Sequence, residues 1–416
     1  MTYNSGLKLM MIVQVSVGSV RMPPKEGSAP LQVMFNTSKR LAKLGHQVII
    51  LDRKYTKNDP PAEKLEGVEI VRLKVMQVPC GHAPGLLRFL LAELNAALFA
   101  LSASNYLKKN SSNIDIIHLH LTSIGLIVSI LHRSLRGKMV YTCHLGEWEL
   151  SGRKLSLFER LHLFLDPYLM RRVNRVIALN DSARECFISK SRINANKIVV
   201  VHNGVDTDFF KPDTDTGKGT RKKYGLEEKL AILFVGRMAQ IKGVEHLVKA
   251  ADMLVNDFKY VNAVFLLVGP FTFDATEKPI NREEMLGYIK QHRLEGNVVF
   301  TGSLPPEEVR DLYAASDIFV LPSLAEGDPL VTLEAMASGQ PVIGTKVGGI
   351  PYHIRDGWNG FLIDPANDQQ LADKIRYLIV NTDERKRMGA NSRQYAEEEF
   401  DWSKVTERLV RIYQSL

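Results

Sequence analysis

The chain has 416 residues, a length of roughly two to three domains at about 150 residues each. With 45% hydrophobic and 24% charged residues it is neither disordered throughout, nor a collagen-like fibre, nor a polytopic membrane protein. The net charge of +8 hides a split: residues 1–205 hold 28 Lys+Arg against 14 Asp+Glu, giving +14, and residues 206–416 are at −6. Such asymmetry implies two bodies with different partners. A basic half suits nucleic acid, an anionic membrane surface or a phosphorylated substrate.

Cys80, Cys143 and Cys186 are far apart and form no CxxC pair. A disulfide framework or zinc site is not expected, and a reducing compartment is. The first eleven residues lack an apolar region followed by a small-residue cleavage site, so no signal peptide is expected. No stretch reads as a transmembrane helix of about 18 apolar residues. The nearest, Leu86 to Leu107, is interrupted by Arg88, Glu93 and Asn95; Leu155 to Met170 is followed by Arg171 and Arg172. Both read as helices packed on a sheet, with a position on a membrane surface as the alternative.

In chain order, Leu9–Val17 reads as a strand, followed by a Pro/Gly-rich loop and a helix at Leu31–Leu44 that ends at Gly45. Further strands are expected at His46–Leu51, Val68–Leu73, Ile114–Leu119, Lys138–Thr142, Arg175–Ala178 and Lys197–Val201. Asn203–Lys223 is polar and rich in Gly and Asp, and reads as a linker. The rhythm then resumes with strands at Ala231–Val235, Ala263–Val268, Val298–Thr301, Ile318–Leu321, Val342–Gly344 and Phe361–Ile363. Helices at Gly243–Asn256, Arg282–His292, Glu307–Ala315, Val331–Ser338 and Gln369–Val380 alternate with them. Two such series predict two α/β domains with parallel sheets covered on both faces. Ligands of these sheets sit beyond the carboxyl ends of the strands, so chemistry is sought in the loops there.

Two loops stand out. In PSLAEGDPLVTLEAMASGQPVIGTKVGGIP, Pro322 to Pro351, a strand empties into a loop with Glu326 and then a helix. Asp328 suits the N-cap and Pro329 the first helical position, which aims the amides of Leu330 and Val331 outward. Such a terminus binds anions and suits a diphosphate. Glu326 and Glu334 flank it; carboxylates are poor phosphate ligands but good acceptors from hydroxyls, which fits a sugar and a ribose on either side. The bland alternative is an acidic cap and a surface Glu. In VGRMAQIKG, Val235 to Gly243, Arg237 and Lys242 extend from another strand-end loop. Such cations neutralise a diphosphate, or else form a solvated surface pair.

Together with GHQVIIL, DIIHLH, TCH, NGVDTDFF, LLVG and VVFTGSLP, these segments resemble the retaining glycosyltransferases of family 4 over nearly the whole chain. The resemblance implies the GT-B fold: two facing Rossmann-like doubly wound domains with an interdomain cleft. The first, residues 1–205, would bind acceptor, with the C-terminal helix 400–416 packing back on it; residues 206–399 would bind the nucleotide sugar. It further implies that Arg237 and Lys242 hold the donor diphosphate, Glu326 the sugar hydroxyls and Glu334 the ribose. The amides of Leu330 and Val331 meet the phosphates, Gly327 lies in the same loop, and the loops at Gly269 and Thr301–Gly302 border the base. His144 matches a histidine near the transferred sugar, and His120, ending a strand, is assigned to the acceptor; His118 or His120 is equally a satisfied strand-end histidine. Gly27 and Ser28 fall in the first loop.

The sequence departs from the family pattern at four places. The first loop reads Lys25-Glu26-Gly27-Ser28 in place of paired glycines. Gly327-Asp328-Pro329 follows Glu326, Pro270 follows Gly269, and Tyr352 stands where a Glu is common. The expected reaction moves a glycosyl group, with retention, from a nucleoside diphosphate sugar to a glycan or lipid-linked acceptor. UDP-sugar is favoured over GDP-mannose. No metal or other cofactor is expected, since the cations and the helix terminus do the electrostatic work. A cytoplasmic protein with peripheral contact to an anionic membrane and no nucleic-acid partner is expected. The rivals are a sugar-nucleotide epimerase, a non-catalytic sugar-nucleotide-binding protein of the same fold and, for the basic half alone, a nucleic-acid binder.

Overall fold

The computed structural model describes residues 8–18, 20–24, 29–79, 85–144, 157–271 and 280–416, without the side chains of 157–159. The chain forms two compact units, Met1–His202 with Trp402–Leu416, and Asn203–Asp401. The break falls three residues before the one read from sequence, because Val205 already bonds to Phe400.

The N-terminal unit is built on strands β1 (Met11–Val15), β2 (Gln47–Arg53), β3 (Ala62–Leu65), β4 (Val68–Leu73), β5 (Ile116–Leu119), β6 (Met139–Thr142), β7 (Arg175–Ala178) and β8 (Ile198–Val200). Their order is β3-β4-β2-β1-β5-β6-β7-β8, parallel except for β3. Its helices are α1 (Ala29–Lys43), α2 (Gly85–Lys109), α3 (Thr122–Leu131), α4 (Leu157–Arg172) and α5 (Asp181–Ser191), with α14 (Trp402–Gln414) returning from the chain's end. The chain steps one way from β1 to β4 and the other way from β5 to β8. Right-handed crossovers therefore put α1 on one face and α2 to α5 on the other. α14 packs beside α1. The strands are buried on both faces, so they read as continuous apolar runs. β3, AEKL, is polar and sits on an edge, which is why no apolar signal marks it.

The C-terminal unit has strands β9 (Leu230–Val235), β10 (Ala263–Val268), β11 (Val298–Gly302), β12 (Ile318–Leu321), β13 (Val342–Thr345) and β14 (Gly360–Ile363). Their order is β11-β10-β9-β12-β13-β14, all parallel. Helices α6 (Thr214–Lys223), α7 (Val244–Asp252), α8 (Arg282–Gln291), α9 (Pro306–Ala315), α10 (Leu330–Ala337), α11 (Ile350–His353), α12 (Asp368–Val380) and α13 (Thr382–Tyr395) cover it.

Two expectations are corrected. The stretch read as a linker contains α6. Asp213 caps it, accepting from the Thr216 amide at 2.9 Å, and Arg221 ties it to the Ala315 carbonyl at 2.8 Å and to Asp317 at 3.1 Å. Its apolar signal is absent because polar anchors hold it. Second, α2 is long and apolar enough to cross a membrane by length and composition: Arg88 and Glu93 are the only charges until Lys108.

Candidate active site

The order of the C-terminal sheet reverses between β9 and β12. The chain leaves β9 for β10 and β11 on one side, then returns to β12 on the other. Such a switch point leaves a crevice at the carboxyl ends, where open α/β sheets bind ligands. Lys242 arrives there from the loop after β9 and Glu326 from the loop after β12. Lys242 Nζ lies 2.7 Å from Glu326 Oε1, and the Ser323 hydroxyl donates to the same oxygen at 2.7 Å. The Glu326 side chain is only 7% exposed, so this pair is shielded from bulk water.

Backbone contacts hold the two loops together. The Leu324 amide donates to the Ile241 carbonyl at 2.7 Å. Gly243, at φ 67°, joins the 3-10 turn Gln240–Lys242 to α7, and a Cβ on it would lie 2.0 Å from the Pro322 carbonyl oxygen. Only glycine fits this left-handed, crowded position. The next loop is fastened likewise: Met238 N donates to Pro270 O at 2.9 Å, and Gly269 N to Gly302 O at 2.9 Å. Arg237, Gly269, Thr301 and Gly302 therefore share the carboxyl edge of β9, β10 and β11, and all four are partly buried. Thr301 Oγ1 turns to the Gly302 carbonyl at 3.0 Å.

α10 begins at Leu330, with Pro329 as its N-cap and no side chain capping it. This corrects the expectation that Asp328 caps and Pro329 opens the helix. Asp328 is turned away: one oxygen accepts from the Asn203 amide at 2.5 Å, and the other lies 2.8 Å from His353 Nε2. Rotation of that carboxylate away from the terminus removes a negative charge from the place where an anion would sit. The amides of Leu330 and Val331, at the first two helical positions, keep about half an elementary charge between the terminus and its dipole. Gly327 is held at its carbonyl by the Gly349 amide, 2.6 Å away.

Glu334 lies one turn inside α10. Burial pushes its carboxyl up to about 7, while the Tyr313 hydroxyl, donating at 3.0 Å, pulls the other way. A carboxyl raised in the fold favours the folded state when protonated, so this contribution is complete near pH 4 and is lost as pH rises to about 7. Glu334→Gln, which mimics the neutral form, should melt roughly 3–6 °C above the natural chain at pH 8 and level with it near pH 4. Equal melting temperatures at both pH values would remove the buried-carboxyl account.

In the N-terminal unit the order reverses between β1 and β5, and three histidines gather there. His118 lies on β5, His120 just past it and His144 just past β6. His120 Nε2 donates to Gln14 Oε1 on β1 at 2.6 Å, and its Nδ1 lies 2.9 Å from His144 Nε2. His118 joins Tyr413 of α14 and Thr142, each at 2.7 Å. Burial holds His144 down at about 4 and His118 at about 3, with His120 well below its ordinary value. All three are thus neutral at pH 7, and the hydrogen bonds fix the tautomers of His120 and His144. Gln14 Oε1 only accepts, so His120 carries its proton on Nε2 and accepts through Nδ1. His144 must then donate through Nε2, leaving Nδ1 with a lone pair. A ring that protonates near pH 4 is a weak base at pH 7. It suits accepting a hydroxyl hydrogen bond better than removing a proton.

Gln14, Thr142, Ser323, Tyr313 and Tyr413 were not singled out in the sequence. Tyr413 is 295 residues from His118, and no local pattern links them. Gln14 carries a signal, a polar residue inside an apolar strand, that goes unread without its partner. Gly27 and Ser28 lie outside the described residues, as does Cys80.

The profile of "Glycosyltransferase Family 4" matches residues 32–209, and that of "Glycosyl transferases group 1" matches residues 218–395. The D-inositol 3-phosphate glycosyltransferase of Corynebacterium urealyticum is 28% identical over 398 residues, covering 92% of this chain and 89% of the relative. The alpha-maltose-1-phosphate synthase of Mycolicibacterium smegmatis is 28% identical over 337 residues, 77% of this chain and 84% of the relative. Among solved structures, sucrose-phosphate synthase from Thermosynechococcus elongatus superposes with a TM-score of 0.80 at 21% identity, covering 98% of each chain. Anabaena HepE in complex with UDP-glucose gives 0.72 at 20% identity, covering 98% of this chain and 100% of the other. Both units thus have the Rossmann-like architecture of the GT-B glycosyltransferases. The chain belongs to glycosyltransferase family 4, group 1, and is a retaining glycosyltransferase.

Proposed function

We propose that the chain transfers a hexosyl group from a nucleoside diphosphate sugar, uridine rather than guanosine, to a glycan or lipid-linked hydroxyl. The observation that carries this reading is the Lys242–Glu326 pair at the β9/β12 switch point, with Glu326 in the loop that leads into an uncapped helix terminus. Arg237, Lys242 and the amides of Leu330 and Val331 would take the diphosphate, Glu326 the sugar hydroxyls and Glu334 the ribose hydroxyls. The loops at Gly269 and Thr301–Gly302 would border the base. The reading gives His144, through Nδ1, a hydrogen bond to a hydroxyl of the transferred sugar, and gives His120 a part in holding acceptor. The UDP and UDP-glucose complexes of Anabaena HepE support uridine as the base.

In the reaction the bond from the anomeric carbon to the β-phosphate oxygen breaks, and the acceptor oxygen bonds to the same face of the sugar. The acceptor proton passes to the departing diphosphate. Arg237, Lys242 and the α10 terminus stabilise the charge that grows on this leaving group, in the role a divalent ion fills elsewhere. Glu334 accepts from the ribose hydroxyls more strongly as a carboxylate than as a neutral acid. Donor KM is therefore expected to rise as pH falls below about 7, and Glu334→Gln to flatten that limb.

A donor panel tests the reading by thermal shift and release of nucleoside diphosphate. A UDP-sugar at about 100 times its Kd should raise the melting temperature by roughly 5–10 °C, with turnover unchanged by chelator. No shift and no release with any sugar nucleotide would overturn it. Release only with GDP-mannose would overturn the choice of base.

A further inference from the structure

α2, α3 and α4 lie side by side on one face of the N-terminal sheet, α2 on α3 and α3 on α4. Their outer surface has an unusual composition for a face turned to water. Residues 85–98, the first 14 of α2, include none that is buried, and at about 1.5 Å per residue they span roughly 21 Å. Leu86, Leu87, Leu90, Leu94 and Leu101 are exposed along this helix, Leu86 at 60%. Spacings of three, four and seven residues put Leu87, Leu90, Leu94 and Leu101 in one stripe. On α4, Phe164 is 63% exposed and its ring lies 5.5 Å from that of exposed Tyr168, tilted by 51°. Arg160 and Arg171, at four- and three-residue spacing, bracket that aromatic pair, and Arg171 lies over the Tyr168 ring at 5.9 Å.

Charge decides what covers this surface. α2, α4 and the stretch 122–138 together hold nine Lys/Arg and three Asp/Glu. Both described carboxylates are withdrawn. Asp166 is fully buried, accepting from Thr122 at 2.5 Å and Tyr141 at 2.9 Å. Glu93, with its side chain 20% exposed, lies 3.5 Å from buried His162. A leucine stripe with aromatics, neighbouring cations and both described acids turned inward is complementary to an anionic bilayer, with apolar side chains at the acyl boundary and Lys/Arg at the phosphates.

We propose that this outer face of α2 to α4 docks on an anionic lipid bilayer, with α2 lying in the interface. α2 does not leave the unit to span the bilayer. Its second half places Phe99, Ala100, Ala103 and Leu107 in the core, and withdrawal would expose them. The face binds independently of donor chemistry, so its test stands apart from that of glycosyl transfer.

Co-sedimentation of the full chain with vesicles of phosphatidylcholine alone, and of phosphatidylcholine with phosphatidylglycerol, measures the docking. Binding to the anionic vesicles at about 0.05 M salt should exceed that to neutral ones at least ~10-fold and fall at about 0.5 M. Leu90→Glu with Leu94→Glu should lower it at least ~10-fold. So should Arg88→Glu with Lys108→Glu, an exposed pair that keeps the test decisive if the leucine variant does not fold. Both should keep the natural melting temperature. Equal binding to the two vesicle types at low salt, or variants that bind like the natural chain, would overturn the proposal. So would a dimer in solution that the leucine variant dissociates while vesicle binding is absent, since the occupant would then be a second copy.

Discussion

Lys242→Ala and Glu326→Ala should each lower turnover by about 10²-fold or more, the scale of losing one preorganised charge contact at a reacting centre. The two side chains are 2.7 Å apart with Glu326 almost out of water, so each holds the other's position. Removal of Lys242 leaves Glu326 held by the Ser323 hydroxyl and takes away a cation meant for the leaving group. Removal of Glu326 leaves Lys242 unsteered. Residues that act as a unit are not additive, so the double variant should be little worse than the poorer single one. Lys242→Arg should not restore the rate, since a planar fork does not replace a point charge in so tight a loop. Steady-state assays with the preferred donor check this. A rate near that of the natural chain for either alanine variant would sink the site assignment, and full additivity would separate the two residues' roles.

Much of the fold is legible because buried parallel strands are continuous apolar runs. Arg175–Ala178, Ala263–Val268 and Ile318–Leu321 start and stop where their sequences do. Elements held by polar anchors are not legible in this way. α6 depends on Asp213 and Arg221, and the edge strand β3 on backbone pairing to β4. The site divides along the same line. Glu326, Lys242 and the α10 terminus lie on loops whose composition announces them. Asp328 misleads, because Asx-Pro before a helix suggests a cap by local logic, whereas its partners are Asn203, 125 residues away, and His353. The tautomers of His120 and His144 are set by Gln14, 106 residues from His120. Only the pairing of β1 with β5 brings those two together. The charge split, read first as a sign of two partners, acquires a partial address: α2, α4 and the stretch 122–138 hold nine Lys/Arg against three Asp/Glu, +6 of the +14, beside the leucines that α2 exposes.

Leu330→Pro should lower kcat/KM by about 10–10²-fold while leaving the fold intact. Proline is well suited to the first position of a helix, where its missing amide costs no intrahelical bond and its φ is already helical. The residue before it must be extended, and Pro329 already is, at φ −72° and ψ 123°. The substitution therefore deletes one amide donor from the α10 terminus and, with it, the Leu330 side chain, which is only partly buried. Leu330→Ala separates the two effects by keeping the amide. If the terminus grips the diphosphate, the proline variant should lose both nucleoside diphosphate affinity and rate, and the alanine variant neither. The melting temperatures of all three proteins without ligand should agree within a few degrees. A proline variant that binds nucleoside diphosphate as tightly as the natural chain would show that the α10 amides do not carry the phosphate. Equal losses in the two variants would assign the effect to the leucine side chain. The loss should persist at high salt, because a fixed dipole in contact with its anion is screened far less than separated surface charges.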